Sequence, residues 1–224
     1  MITVIGTSHI SPQSLREIQE KIDEIGPDCV AVELDANRLE AIRRGEKVSI
    51  SAMKYIGFRG YLTAKIFSTV QQYLGKKTGV IPGEEMLTAV EAGKRAGAVV
   101  ALIDQPIEVT MRRLQGIPFV EKAKLLLGIF KPKKVAFDIS KVPEEKLVAE
   151  LMGYMKKTAP TLYRVLVAER DLHMAKALNQ LGLQYDNIVA VVGIGHKKGL
   201  EKQLKALEGS SEISYRFVQD QQYL

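Results

Sequence analysis

Four short apolar runs punctuate the chain: "ITVIG" (2–6), "CVAVEL" (29–34), "AVVALI" (98–103) and "NIVAVVG" (187–193). Each leads into a stretch whose apolar residues recur at helical spacing. Continuous apolar runs of this length predict strands buried on both faces, as in a parallel sheet sandwiched by helices. The strand, helix, strand rhythm predicts an α/β fold with right-handed crossovers.

The punctuation between the runs supports this division. In "SPQSLREIQEKIDEIGP" (11–27), Ser11 is placed to cap a helix, Pro12 takes its first position, and Gly26 with Pro27 stops it. Leu15, Ile18, Ile22 and Ile25 form the stripe expected to be buried. Asp35 can cap a helix over "ANRLEAIRR", closed by Gly45, and "GEEMLTAVEAGKRAG" (83–97) is a further helix. Residues from about 107 to 182 read as helical throughout, interrupted at Gly116 to Pro118, "KPKK" (131–134), Pro143 and Pro160, which predicts a helical insertion. The segment "EISYRFV" (212–218) predicts a last strand. The expected fold is therefore a single α/β domain over residues 1–224. Its sheet is expected to be mixed but mostly parallel, and built from two related halves.

Those halves rest on an internal echo. "ITVIGTSHISPQSLREI" and "VAVVGIGHKKGLEKQL" each read as a strand, a glycine, two residues, a histidine and a helix start, so Gly6 and His9 correspond to Gly193 and His196. One G-x-x-H is a weak signal, but two copies use two of the three histidines in the chain. The carboxyl ends of parallel strands converge on one edge, where ligands bind. Glycine turns there would present both imidazoles to a common crevice, beside acids from "VELD" and "LID". Imidazoles with carboxylates suit a divalent ion such as zinc, manganese or cobalt. The third histidine, His173, lies four residues after Glu169 and reads better as half of a surface pair.

Composition narrows the classes further. The 224 residues carry 46% hydrophobic and 26% charged residues, enough for a full core. The net charge of +6 comes from 32 basic residues interleaved with 26 acidic ones, the pattern of a solvated surface and not of a nucleic-acid interface. Cys29 is the only cysteine, so neither an intramolecular disulfide nor a thiolate cluster is available. No apolar stretch reaches the roughly 18 residues that span a bilayer, and the N-terminus lacks a signal-peptide pattern, which predicts a cytoplasmic location. The amphipathic segments 50–74 and 119–130 read as core helices, with a homodimer contact or a membrane-facing surface as the alternative.

Seven pieces in order, "GTSH" (6–9), "VELDANR" (32–38), "GEEM" (83–86), "ALID" (101–104), "TMRRL" (110–114), "AERDLHMA" (168–175) and "VVGIGH" (191–196), make the chain resemble the TraB/PrgY family. The family's Tiki relatives are metal-dependent proteases that cleave Wnt peptides. By that resemblance the metal ligands fall on His9 and His196 with Glu33 or Glu85, and a peptide is the expected substrate. A free glutamate, Glu33 or Glu85, would act as general base, and Arg38 and Arg170 would be cleft residues, Arg170 as an anion or carboxylate clamp. PrgY's association with pheromone shutdown implies an alternative, capture of a peptide or small ligand without turnover. Relatives carry Arg and Asp after "LID", where this chain has Gln105 and Pro106. Many archaeal relatives continue into a membrane-spanning region, so membrane association is expected of longer forms. Simpler readings compete at several positions. Asp35 and Glu85 suit helix N-termini without any function, and Asp104 and Arg113 suit packing supports.

Overall fold

The computed structural model describes residues 1–7, 12–44, 84–121, 123–124 and 144–208. Four parallel strands, β1 (Ile2–Thr7), β2 (Cys29–Val32), β3 (Val99–Leu102) and β4 (Ile188–Gly193), form one sheet in the order β1-β4-β2-β3. β4 sits between β1 and β2, pairing Ile5 with Val191 on one side and Val32 with Val191 on the other. All four described strands run parallel, so the antiparallel partner that a mixed sheet requires is not among them. The proposed terminal strand at 212–218 lies outside the described residues.

Helices cover both faces. α1 (Pro12–Ile25) and α3 (Glu84–Arg95) lie on one side, where Ile18, Ile22, Met86, Ala89 and Val90 pack on Val30, Val32, Val189 and Val191. α7 (Glu169–Leu181) and α8 (Ile194–Glu208) lie on the other, where Met174, Ala175, Leu178, Leu200 and Leu204 meet Cys29, Ala31, Ala190 and Val192. The strand period of two sends alternate residues to opposite faces. A run that is apolar at every position therefore feeds two cores at once. Burying each Val or Leu contributes about 1.5–3 kcal/mol.

In the connections, α2 (Ala36–Arg43) follows β2 and is capped by Asp35, whose side chain accepts from the Arg38 N–H. α4 (Ile107–Gln115) follows β3, and α5 (Glu144–Thr158) leads to the short α6 (Pro160–Tyr163). A wide π-type stretch (Arg164–Ala168) then runs into α7. The region read as an insertion thus supplies, in α7, one of the two helices on the second face. α1 ends where Gly26 and Pro27 predicted, and Gly97 takes a left-handed φ of 75° to turn α3 into β3.

The echo takes a different form from the one expected. β1 and β4 are neighbours, but Gly6 pairs with Val192, and Thr7 with Gly193, so the two glycines are one residue out of register. Both are strand residues with no turn between β4 and α8. At Gly6 a Cβ would lie 2.7 Å from Ile194 Cδ1, so this glycine serves the close packing of α8 on β1. His196 accordingly sits in the first turn of a helix.

Candidate functional site at the carboxyl edge of the sheet

β2 continues past Val32 into Glu33, buried at 7% exposure, and β3 continues into Asp104, buried at 3%. Both acids project at the carboxyl edge, the place where parallel sheets present ligand-binding groups. Acids leaving a buried strand need partners, and Arg170, in the first turn of α7, supplies them. Its Nε donates to Asp104 Oδ1 at 3.0 Å and its Nη2 to Asp104 Oδ2 at 2.7 Å, a bidentate pair. Nη2 also donates to Glu33 Oε1, and Nη1 to the Leu166 carbonyl at 3.3 Å. That carbonyl belongs to the π-type stretch, where widened turns free backbone groups and commonly mark functional sites. Arg38 Nη1 reaches Asp104 Oδ2 at 2.7 Å, with a quarter of its side chain exposed.

His196 completes the cluster. Its Nδ1 lies 2.6 Å from Asp171 Oδ1, and its Nε2 lies 3.0 Å from Arg170 Nη1 and 3.4 Å from Glu33 Oε1. A guanidinium has no lone pair to offer, so Nε2 accepts from Arg170. The proton then sits on Nδ1 and is donated to Asp171. The Asp171 carboxylate reaches this place because residue 199 is glycine: a Cβ there would fall 1.9 Å from Asp171 Oδ2.

The surroundings set the charges. Burial pushes the Glu33 carboxyl up. The ring of His196 when protonated, the guanidiniums of Arg170 and Arg38, and the Gly193 N–H donating to Oε2 at 2.7 Å more than offset this and hold it down at about 2. Glu33 is thus ionised throughout the physiological range. Burial also works against the Arg170 charge, but Glu33 and Asp104 overcome it and keep the guanidinium firmly protonated. Asp171 is shifted upward by burial, against the opposing effect of its bond to His196.

The structure brings Glu33, Arg38, Arg170 and His196 together. Glu85 is also buried, at 1% exposure, in the first turn of α3, but the bonds that build the Arg170 cluster do not include it. His9 lies outside the described residues, two positions beyond Thr7, which ends β1 beside Gly193. Segment 50–74 also lies outside them. Of 119–130, Phe119 and Val120 are exposed. Glu169 turns away from the cluster and pairs with Arg113, as expected of two neighbours on a helix. His173 is half-buried, and desolvation lowers its pKa. At the variant "LIDQP", Gln105 Nε2 donates to Thr110 Oγ1 at 2.8 Å and its own N–H to Asp104 Oδ1 at 2.8 Å, so it braces the acid from behind.

Asp104, expected both among the acids facing the crevice and as a packing support, joins both arginines. Asp171 was passed over, yet the sequence carried a signal: positions 171, 174, 175 and 178 form one helical stripe, and an acid at the head of an apolar stripe is out of place unless it is paired.

As donors, His196 Nε2 and Glu33 Oε1 suit a divalent ion. A buried carboxylate fixes the imidazole through its other nitrogen, as it does for metal-bound histidines. The 3.4 Å between the two atoms matches the edge of a tetrahedron whose ligands stand about 2.0–2.1 Å from the ion. Among the described residues, no group of three or more His, Cys, Asp or Glu is arranged to hold an ion, so a third protein ligand would come from beyond them. Arg170 engages both donor atoms in this arrangement.

A family model described as TraB/PrgY/gumN matches residues 1–210. The chain is 33% identical over 224 residues to an uncharacterized protein of Methanocaldococcus jannaschii, covering 95% of this chain and 55% of that protein. It is 28% identical to the TraB domain-containing protein of Mus musculus and 27% identical to that of Homo sapiens, covering 90% of this chain and 62% of each. The chain thus spans between half and two thirds of the length of these relatives. No helix among the described residues is long and apolar enough to cross a membrane.

Proposed function

This chain belongs to the TraB/PrgY/gumN family, and from that premise we propose that it is a divalent-metal-dependent hydrolase of peptides whose reaction centre is the carboxyl edge of the sheet. The observation that carries the reading is the convergence of His196 Nε2 and Glu33 Oε1, 3.4 Å apart, with the far side of the imidazole held by a buried aspartate. His196, Glu33 and His9 would hold the ion, which when bound polarises a carbonyl and activates water.

The chain's own groups divide the remaining work. Asp171 holds the proton on His196 Nδ1 and so keeps the Nε2 lone pair facing the cleft. The Gly193 N–H fixes Glu33 by its second oxygen. A carboxylate held at about 2 is a weak base, so Glu33 acts as ligand. That leaves Glu85, buried in the first turn of α3 and outside the bonds of the Arg170 cluster, as the glutamate for the general-base role. Asp104 anchors Arg170 and Arg38, and the part-exposed Arg38 guanidinium receives a carbonyl or carboxylate of the substrate.

Metal content and cleavage of a peptide library should be measured for wild type, His9→Ala, His196→Ala and Glu85→Gln. Loss of metal in both histidine variants, and retained metal without turnover in Glu85→Gln, is the expected pattern. Equal cleavage by wild type and His196→Ala would sink the reading. A second reading, capture of a peptide without turnover, draws support from Arg170 sitting on the two lone pairs a metal needs. A tightly held peptide released intact after long incubation with manganese would favour it.

A further inference from the structure

The Arg170 guanidinium stands where the cation of the proposed centre belongs. Nη1 meets the His196 Nε2 lone pair at 3.0 Å, and Nη2 meets Glu33 Oε1, the same two atoms assigned to the ion. Remove the guanidinium, and Glu33 and Asp104 are left as buried acids with much of their compensating charge gone. We propose that Arg170 is an internal stand-in for the divalent cation, competing with it for His196 and Glu33, so that metal enters only when Arg170 swings off both atoms. This rests on the metal-hydrolase reading and adds to it a built-in control on loading.

The geometry makes such a swing short. Arg170 holds Asp104 through Nε and Nη2, and the Nε bond involves neither His196 nor Glu33. Nη2 is shared between Asp104 and Glu33, so leaving the metal donors gives up both of its bonds, and the side chain pivots on the remaining Nε bond to Asp104 Oδ1. Arg38 shares Asp104 Oδ2 and keeps that carboxylate compensated during the move. The acceptor for Nη1, the Leu166 carbonyl, lies in the π-type stretch before α7, a backbone element with room to adjust. Asp171 holds His196 from its far side, so the imidazole stays aimed whichever cation it faces. In the metal-free protein the guanidinium keeps the acids paired and the site folded. In the loaded protein it is displaced toward the cleft side of Asp104 and becomes available to substrate.

Competition of this kind raises the apparent metal dissociation constant by the reciprocal of the fraction of molecules with Arg170 displaced. The test is manganese(II) binding to the metal-free chain, followed by titration calorimetry and by the electron paramagnetic resonance signal of the free ion, for wild type, Arg170→Gln, Arg170→Lys and His196→Ala. Arg170→Gln should bind on the order of tenfold to a hundredfold tighter than wild type. Arg170→Lys, whose single ammonium cannot form the bidentate pair, should fall between them. Equal or weaker binding by Arg170→Gln, with binding still abolished in His196→Ala, overturns the competition and leaves the metal-hydrolase reading standing. Binding that does not depend on His196 in any variant removes the reading itself. If Arg170→Gln does not fold alone, refolding on addition of manganese supports the proposal. Failure to refold, together with wild-type affinity in Arg170→Lys, overturns it.

Discussion

The two edges of the sheet solve the same problem in different ways. At the amino edge, polar groups meet backbone. Asp28 Oδ2 accepts from the Asn187 N–H at 2.9 Å, Asn187 Nδ2 donates to the Ile25 carbonyl at 3.3 Å, and the Val99 N–H donates to the Asp28 carbonyl. These bonds close turns near solvent, and each is worth little. At the carboxyl edge, side chain meets side chain: Glu33, Asp104 and Asp171 against Arg38, Arg170 and His196, nearly all of it buried. A fold needs its turns closed at both edges. It does not need buried charges, because a packed apolar core of the same shape is commonly as stable. The lesson is that stability alone does not call for the carboxyl edge: its buried charges go beyond what closing the turns requires.

The sharpest way to break that contrast is Arg170→Met. It strands Glu33 and Asp104 as buried acids and should lower stability by about 3–5 kcal/mol in urea denaturation. Asp28→Ala at the amino edge should lose only about 1 kcal/mol. Equal losses would erase the distinction.

The two edges should also differ in acid. Glu33 is held at about 2 in the folded chain against an ordinary 4.5, so it contributes stability that is present above pH 4.5 and is lost as pH falls toward 2. The contribution is about 3 kcal/mol. Unfolding free energy measured from pH 6 to pH 2 should fall across that window in wild type, and Glu33→Gln should flatten the fall.

Smaller, and directed at the histidine, is Gly199→Ala. Its Cβ would overlap Asp171, pushing the carboxylate off His196 Nδ1 at about 1–3 kcal/mol. Nitrogen-15 spectra of histidine-labelled protein, simplified by there being only three histidines, should show the Nδ1–H form of His196 lost. Gly97→Ala at the amino edge has open space around it but a φ of 75°, so it should lose about 1 kcal/mol and leave the imidazole signals untouched. A persistent Nδ1–H form in Gly199→Ala would mean that Asp171 has another way to reach the ring.

Much of the scaffold was readable in advance for a plain reason: strand runs apolar at every position have no alternative to burial on both faces, and Pro and Gly mark helix ends by local backbone chemistry. Residues 2–6, 29–34, 98–103 and 187–193 are the four described strands to within a residue or two. At the site, Glu33, Arg38, Arg170 and His196 were named and are brought together. Asp104 was expected there only as one of the acids of "LID", and Asp171 was not named, because the partner that holds a buried acid is not written beside it in the chain.

What the chain determined by itself is the list of strands and helices, the caps between them, and the set of acids and histidines standing at strand ends. What only the tertiary structure decided is the strand order, which inserts β4 between β1 and β2, and the choice of partner for each charge. Periodicity and capping act over a few residues and are written locally. Pairing Glu33 with Arg170, 137 positions away, depends on which helix the crossover lays against which strand end, and no local pattern encodes that.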